Sequence, residues 1–272
     1  MAGSRNDNAL LDLFAEELQA ARLRAGLTAA ELGAMVNYSG SQISMIETKR
    51  RIATLDLAQR CDQTLKTPGT FERIQRMLKT SPFPSWFRPW VDIEAAASQL
   101  RSSQTLLVDG LLQTPDYARA LLSTRVGTGA ADIEEQLTAR MSRQAVLDRD
   151  EPPLLWLVMD EAVLRRPVGN RHIMLSQCEH LIEMSARPNI VMQVIPASTG
   201  AHDGLNGSFI IADFAAAPSI AYLETAMTGM IIEESGQVAE LNVIYAGLNT
   251  EALPRAASIE LIKEVAKEWT SS

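Results

Sequence analysis

The 272 residues carry 25 Lys/Arg against 33 Asp/Glu, a formal net charge of −8, with 46% hydrophobic and 21% charged residues; this fits a soluble globular chain long enough for two domains. No run of about 18 apolar residues occurs, which excludes a transmembrane helix, and the opening MAGSRNDNALLDLF has too short an apolar stretch for a signal peptide. Overall acidity argues against a simple DNA-coating protein, and two distant cysteines, Cys61 and Cys178, offer neither a disulfide framework nor a metal cluster, so a reducing cytoplasm is expected.

Residues before about Asn8 read as a disordered arm. Leu10, Leu13, Phe14, Leu18, Ala21 and Leu23 trace the apolar stripe of a first helix, which Gly26 stops. Thr28 with Glu31 three residues on forms a capping-box pair ahead of Ala30, Leu32, Met35 and Val36. Asn37 tolerates the left-handed backbone of a sharp reversal, and Ser39 caps another helix with Ile43 and Ile46 inward. Ser41, Ser44, Met45 and Thr48 then point away from the core. Thr54–Thr64 reads as a fourth helix with Leu55, Ala58 and Leu65 inward and Cys61 as a filler, and Pro68-Gly69 opens a fifth through Leu78.

The stretch Leu27–Arg51 resembles the Cro/cI-type (XRE) helix-turn-helix, through Leu27-Thr28, Glu31-Leu32, Ser39 and Ile43-Ser44-x-Ile46-Glu47. The resemblance implies that the second helix enters the major groove of double-stranded DNA, with its N-terminal residues on base edges. It implies base contacts from Gly40, Ser41 and Met45, with Ser44 on the same outer face. Thr28, Ser39, Gln42, Lys49, Arg50 and Arg51 would lie near phosphates, and Arg22–Glu47 would be a structural ion pair. Three positions depart: Ala29 stands where a phosphate-holding Gln is common, Gly40 lacks a side chain, and Lys49 replaces a usual Gly. Bidentate readout, worth about 1–3 kcal/mol per pair, is therefore thin, and help from dimerisation or DNA shape is expected.

Thr80–Trp90, with three prolines and four aromatics, marks a boundary, giving domains at 1–80 and 81–272. Trp86, Phe87 and Trp90 fit either a wedge between domains or a binding platform. Charge divides at the same place: eleven Lys/Arg against nine Asp/Glu through Thr80 leave +2, and 14 against 24 beyond it leave −10. The acidic half would repel DNA away from a few basic contacts, and it could attract a basic partner.

Residues 91–107 fit helix and strand alike. Pro115–Leu122 is a helix capped by Thr114, and a long amphipathic helix follows over about 131–148. Leu154–Met159 is a buried strand, Asn170–Ala186 a helix, and Ile190–Ile195, Gly207–Asp213, Ile220–Glu224 and Met230–Glu233 four more strands. Two helices, about 236–248 and 254–269, close the chain. The expected fold is α+β overall: an all-α five-helix domain, then an α+β domain with a largely antiparallel sheet.

Segments Gly110–Arg119, Ala139–Gln144, Asp160–Arg165 and Leu205–Phe209 are similar to the uncharacterised domain that accompanies this helix-turn-helix in WhiJ-like and antitoxin-like regulators of actinobacteria. Asp109 takes the place of a usual Pro. That similarity implies a transcription factor, expected here as a homodimer, often encoded beside a small partner protein that it binds or restrains, with no established reaction and no established ligand.

Chemistry sought in the residues is sparse. His172 and His180 are eight apart on one helix, roughly 12 Å of rise, too far for one metal. His202 beside Asp203 is either a polar site or a turn whose Asp caps it. Arg140, Arg143 and Gln144 can share a face and receive an anion or a partner's carboxylate, or simply be exposed helix charges. Glu224, if buried, needs a cation, with Arg140 or Arg143 as candidates. No metal, cofactor, membrane contact or nucleophile–base pair is expected, so an enzyme is the least favoured reading. The rivals to a DNA-binding transcriptional regulator are an antitoxin-like module that sequesters a small protein, and a small-molecule sensor.

Overall fold

The computed structural model describes residues 3–49, 53–78, 83–84, 86–225 and 227–270. The chain divides into two compact units, Met1–Pro82 and Phe83–Ser272. No described helix is long and apolar enough to cross a membrane.

The first unit holds α1 (Gly3–Arg24), α2 (Ala29–Met35), α3 (Gly40–Glu47), α4 (Leu55–Leu65) and α5 (Thr70–Leu78). Helix α1 starts several residues before the stripe that nominates it, because extending a nucleated helix costs far less than starting one. The expected disordered arm is thus helical from Gly3. Its buried face is Phe14, Leu18 and Ala21, while Leu13 and Leu23 are exposed, off that stripe. Likewise Leu57, not Leu55, joins Ala58 and Cys61 on the buried face of α4. These residues meet Leu32, Val36, Ile43, Ile46, Phe71 and Ile74 in one core. The buried Asp62 ties the α4–α5 corner: its carboxylate accepts the Phe71 and Glu72 N–H groups at 3.1 and 2.8 Å, satisfying donors that a helix start leaves free.

The second unit opens with α6 (Arg88–Ala96) and β1 (Gln99–Gln104), so the stretch that fits both periodicities is a helix and then a strand. Next come α7 (Pro115–Leu122), α8 (Ala130–Gln144), β2 (Leu154–Asp160), the short α9 (Glu161–Arg165) and α10 (Arg171–Met184). The chain continues through β3 (Ile190–Ile195), β4 (Phe209–Asp213), β5 (Ile220–Glu224), β6 (Gly229–Ile232), α11 (Ser235–Glu251) and α12 (Arg255–Thr270). The architecture is α+β, with a six-stranded sheet in the order β3-β2-β1-β4-β5-β6. The sheet is mixed: β1–β2 and β2–β3 are parallel, and β1–β4, β4–β5 and β5–β6 are antiparallel. The parallel pairs follow from the helical crossovers between β1, β2 and β3, and the antiparallel β4–β5 and β5–β6 pairs from the short links after β4.

Strand alternation gives the sheet two apolar faces. Leu155, Leu157 and Met159 of β2 join Trp90, Tyr117, Met174, Leu181 and Ile262 in the larger core. Val158, Phe209, Ile211 and Ala221 face Val238, Tyr245 and Leu248 of α11. Trp90 stacks on Tyr222 with ring centroids 5.0 Å apart, and Phe87 meets the same ring edge-on at 5.6 Å. Trp86 also lies against this core. The aromatic cluster read as a wedge or a platform therefore packs inside the second unit.

Candidate nucleic-acid interface

Two reciprocal caps build the α2–α3 corner. Thr28 Oγ1 accepts the Glu31 N–H at 3.2 Å, while the Glu31 carboxylate accepts the Thr28 N–H at 2.7 Å. The Thr28 N–H and the Thr28 hydroxyl, which also donates to this carboxylate at 2.7 Å, hold the Glu31 carboxyl below its usual range. Ser39 Oγ accepts the Gln42 N–H at 3.2 Å and Gln42 Oε1 accepts the Ser39 N–H at 2.9 Å. Each box satisfies two otherwise orphaned donors. Between them Asn37 takes φ 62°, the left-handed residue that reverses the chain.

The helices cross at glycines. A Cβ on Gly40 would lie 2.7 Å from Ala30 Cα, and one on Gly33 would lie 2.8 Å from the Tyr38 carbonyl oxygen. The Cβ position of Gly40 is thus turned toward α2, and the missing side chain is what lets the helices approach. Gly40→Ala must push backbone from backbone, so it should destabilise the first unit by about 1–3 kcal/mol, as overpacking does. Thermal melts followed by far-ultraviolet circular dichroism check this; an unchanged first-unit transition would refute the contact.

On α3, Ile43 and Ile46 are buried, whereas Ser41 and Ser44 are exposed and Gln42 and Met45 half-buried. Thr28, Ser39 and Lys49 are exposed at the corner's ends. Behind α3, Arg22 grips Glu47 through Nε and Nη2 at 2.6 and 2.9 Å, and its Nη1 donates to the Leu27 carbonyl at 2.8 Å. The hydrogen bond to Glu47 raises the Arg22 pKa. Lys49 takes a left-handed φ of 61°, which explains why glycine suits this turn. Its Nζ pairs with Asp12 at 2.8 Å, and that bond raises its pKa. Arg50 and Arg51 lie outside the described residues.

The second-unit candidates are engaged by their own domain. Arg143 pairs with Glu94 at 2.8 Å, with side chains only 9% and 1% exposed, and its guanidinium lies 5.0 Å from the Phe87 ring centroid. Arg140 donates to Gln113 Oε1 at 2.8 Å, and burial lowers its pKa. Gln144 donates to the Gly110 and Gln113 carbonyls at 3.0 and 2.8 Å. All three side chains thus clamp the 109–114 loop and α6, and the shared face expected to receive an anion or a partner holds internal bonds. Glu224 ends β5 as an exposed residue, and Tyr222 donates to it at 3.4 Å. Desolvation of its carboxylate by the surrounding side chains raises its pKa, with the Arg140 charge, the Tyr222 bond and the Arg143 charge pulling the other way.

His202 does not pair with Asp203. Its Nε2 bonds Asp160 Oδ2 at 2.9 Å with the side chain 2% exposed, pinning the 196–207 loop to the end of β2. Asp160 Oδ1 meanwhile caps α9 through the Ala162 N–H. Glu94 and Asp109 went unsuspected in the sequence; both are buried, and Asp109 accepts from Ser102 Oγ at 2.5 Å and from the Leu111 N–H at 2.8 Å. Burial, assisted by the Asp109 charge and opposed by Arg143, pushes the Glu94 carboxyl up to about 7. Among the described residues no group of three or more His, Cys, Asp or Glu is placed to hold a metal.

Comparison with known proteins places these features. No curated protein and no solved structure matches the chain. Residues 13–73 match the family model of a helix-turn-helix domain, the class of a DNA-binding regulator. Residues 87–264, more than half of the chain, match the domain of unknown function DUF5753. The protein therefore belongs to the DUF5753 family, with a helix-turn-helix ahead of that domain.

Proposed function

We propose that the protein is a sequence-specific transcriptional regulator of the Cro/cI (XRE) type, akin to WhiJ-like and antitoxin-like regulators. The observation that carries this reading is α3: capped at Ser39, anchored by Ile43 and Ile46, and presenting Ser41 and Ser44 outward. In the groove, Ser41, Ser44 and Met45 face base edges, while Thr28, Ser39, Gln42, Lys49, Arg50 and Arg51 lie along phosphates. Two copies related by a two-fold axis would set their α3 helices roughly 34–36 Å apart. The second unit controls the first by self-association or by holding a partner, and its net charge of −10 from 14 basic and 24 acidic residues beyond Thr80 favours a small basic protein.

A gel-shift titration of the full chain over a salt series tests this. Binding should weaken steeply with salt, and Arg50→Ala and Arg51→Ala should each reduce the log–log slope by about 0.9, one released counterion apiece. Unchanged slopes would remove the basic turn from the interface.

A further inference from the structure

Most of the side chains that could read a base from α3 are already committed. Gln42 Oε1 receives the Ser39 N–H at 2.9 Å and the Ser39 hydroxyl at 3.2 Å. Its carboxamide therefore cannot present the acceptor–donor pair that recognises adenine. Both Glu47 oxygens hold Arg22. The Thr48 hydroxyl donates to the Ser44 carbonyl at 2.8 Å, the Ser39 and Ser41 hydroxyls share a bond at 2.9 Å, and Lys49 Nζ is on Asp12 at 2.8 Å. Helix α3, GSQISMIE, contains no Arg, Lys or Asn.

What remains for a base is the half-buried Met45 side chain, the methyl of the exposed Thr48 and the hydroxyl of the exposed Ser44, beside the Ser41 hydroxyl that shares its bond with Ser39. A serine hydroxyl donates or accepts and so discriminates weakly. The apolar feature that a major groove offers is the thymine 5-methyl group. Met45 and Thr48 are three residues apart, about 4.5 Å of helix rise against about 3.4 Å per base pair, so they reach neighbouring steps. Resting on the reading that α3 enters the groove, we infer that Met45 and the Thr48 methyl recognise thymine 5-methyl groups. Each half-site is then specified mainly by T·A pairs through apolar contact rather than by bidentate bonds to guanine or adenine.

The test begins with duplexes selected from a random library by the purified full chain. Each thymine of a selected duplex is then replaced singly by uracil, which removes only the methyl group. One or two positions per half-site should lose about fourfold in affinity, the value of one buried methyl. Met45→Ala should bind the thymine and uracil duplexes alike at one of those positions, and Met45→Leu should keep the preference. Because the uracil scan uses the unaltered protein, it does not depend on either variant folding. Indifference to every uracil, or selected half-sites specified by G·C pairs alone, would overturn the inference while leaving DNA binding intact. Recovery of no duplex above non-specific binding would overturn the regulator reading itself.

Discussion

Replacing Arg143 by alanine should destabilise the second unit by about 3–5 kcal/mol at pH 8, and by about 1 kcal/mol less at pH 5. The magnitude is that of leaving one member of a buried pair without its counter-charge. The pH dependence follows from Glu94, which is 1% exposed and whose carboxyl is pushed up to about 7. Below the ordinary carboxylate pKa near 4.5 the folded and unfolded chains both hold the proton. Between that value and about 7 the folded chain keeps a proton that the unfolded chain releases, so this contribution to stability falls as pH rises through the window. Above it the buried carboxylate is charged and relies on Arg143. In the variant the Glu94 carboxyl loses the charge that holds its pKa down; at pH 5 it is neutral and packing on Phe87 and a hydrogen bond are lost, whereas at pH 8 it must also bind a proton from solvent or stay charged without a partner. Glu94→Gln should flatten the pH dependence, and Arg143→Ala combined with Glu94→Gln should recover part of the loss at pH 8. The four tryptophans, Trp86, Trp90, Trp156 and Trp269, all lie beyond Pro82, so urea unfolding followed by tryptophan fluorescence isolates this unit. Equal losses at both pH values would mean that the side chain matters by its volume and not its charge.

The contrast between the units explains what could be read in advance. The α2–α3 corner is written in neighbours: Thr28 with Glu31, Ser39 with Gln42, and a left-handed Asn37 between them. The caps of α7 and α10, Thr114 and Asn170, are equally local. Strand β1 had no such signal. Its sequence QLRSSQ is too polar for a buried strand, yet Ser102 and Ser103 are buried because β2 and β4 flank the strand and Asp109 accepts the Ser102 hydroxyl. Glu94 carries no local sign of its burial because Arg143, its partner, sits 49 residues away on α8. The RMSRQ run was recognisable as a motif, but its bonds to Gln113 and Gly110 decide that it braces a loop, and spacing alone carries no information on that. At the interface the same limit applies to Gly40, whose role depends on how closely Ala30 approaches. Local rules find elements; contacts distant in sequence assign roles.

The same kind of deletion in the first unit should have a different signature. Glu47→Ala leaves Arg22, with a side chain 11% exposed, holding only the Leu27 carbonyl, and should lower that unit's stability by about 3–5 kcal/mol. In a helical unit of this size such a loss is a large share of the total. Arg22→Ala should cost a similar amount, since it also removes the bond to Leu27. Arg22→Lys should rescue little, because one ammonium cannot reproduce a fork that reaches both Glu47 oxygens and a backbone carbonyl. Arg22→Met combined with Glu47→Met should recover much of it, as apolar replacement of both partners removes the stranded charge. No tryptophan lies in this unit, so far-ultraviolet circular dichroism should show an early melting step while the fluorescence transition stays in place. DNA binding by Glu47→Ala should return on cooling with the salt slope unaltered, because both Glu47 oxygens hold Arg22 and the proposed groove contacts leave the pair out. A slope that changes with Glu47→Ala at a temperature where the helices are intact would place the pair in the interface and end its purely structural assignment.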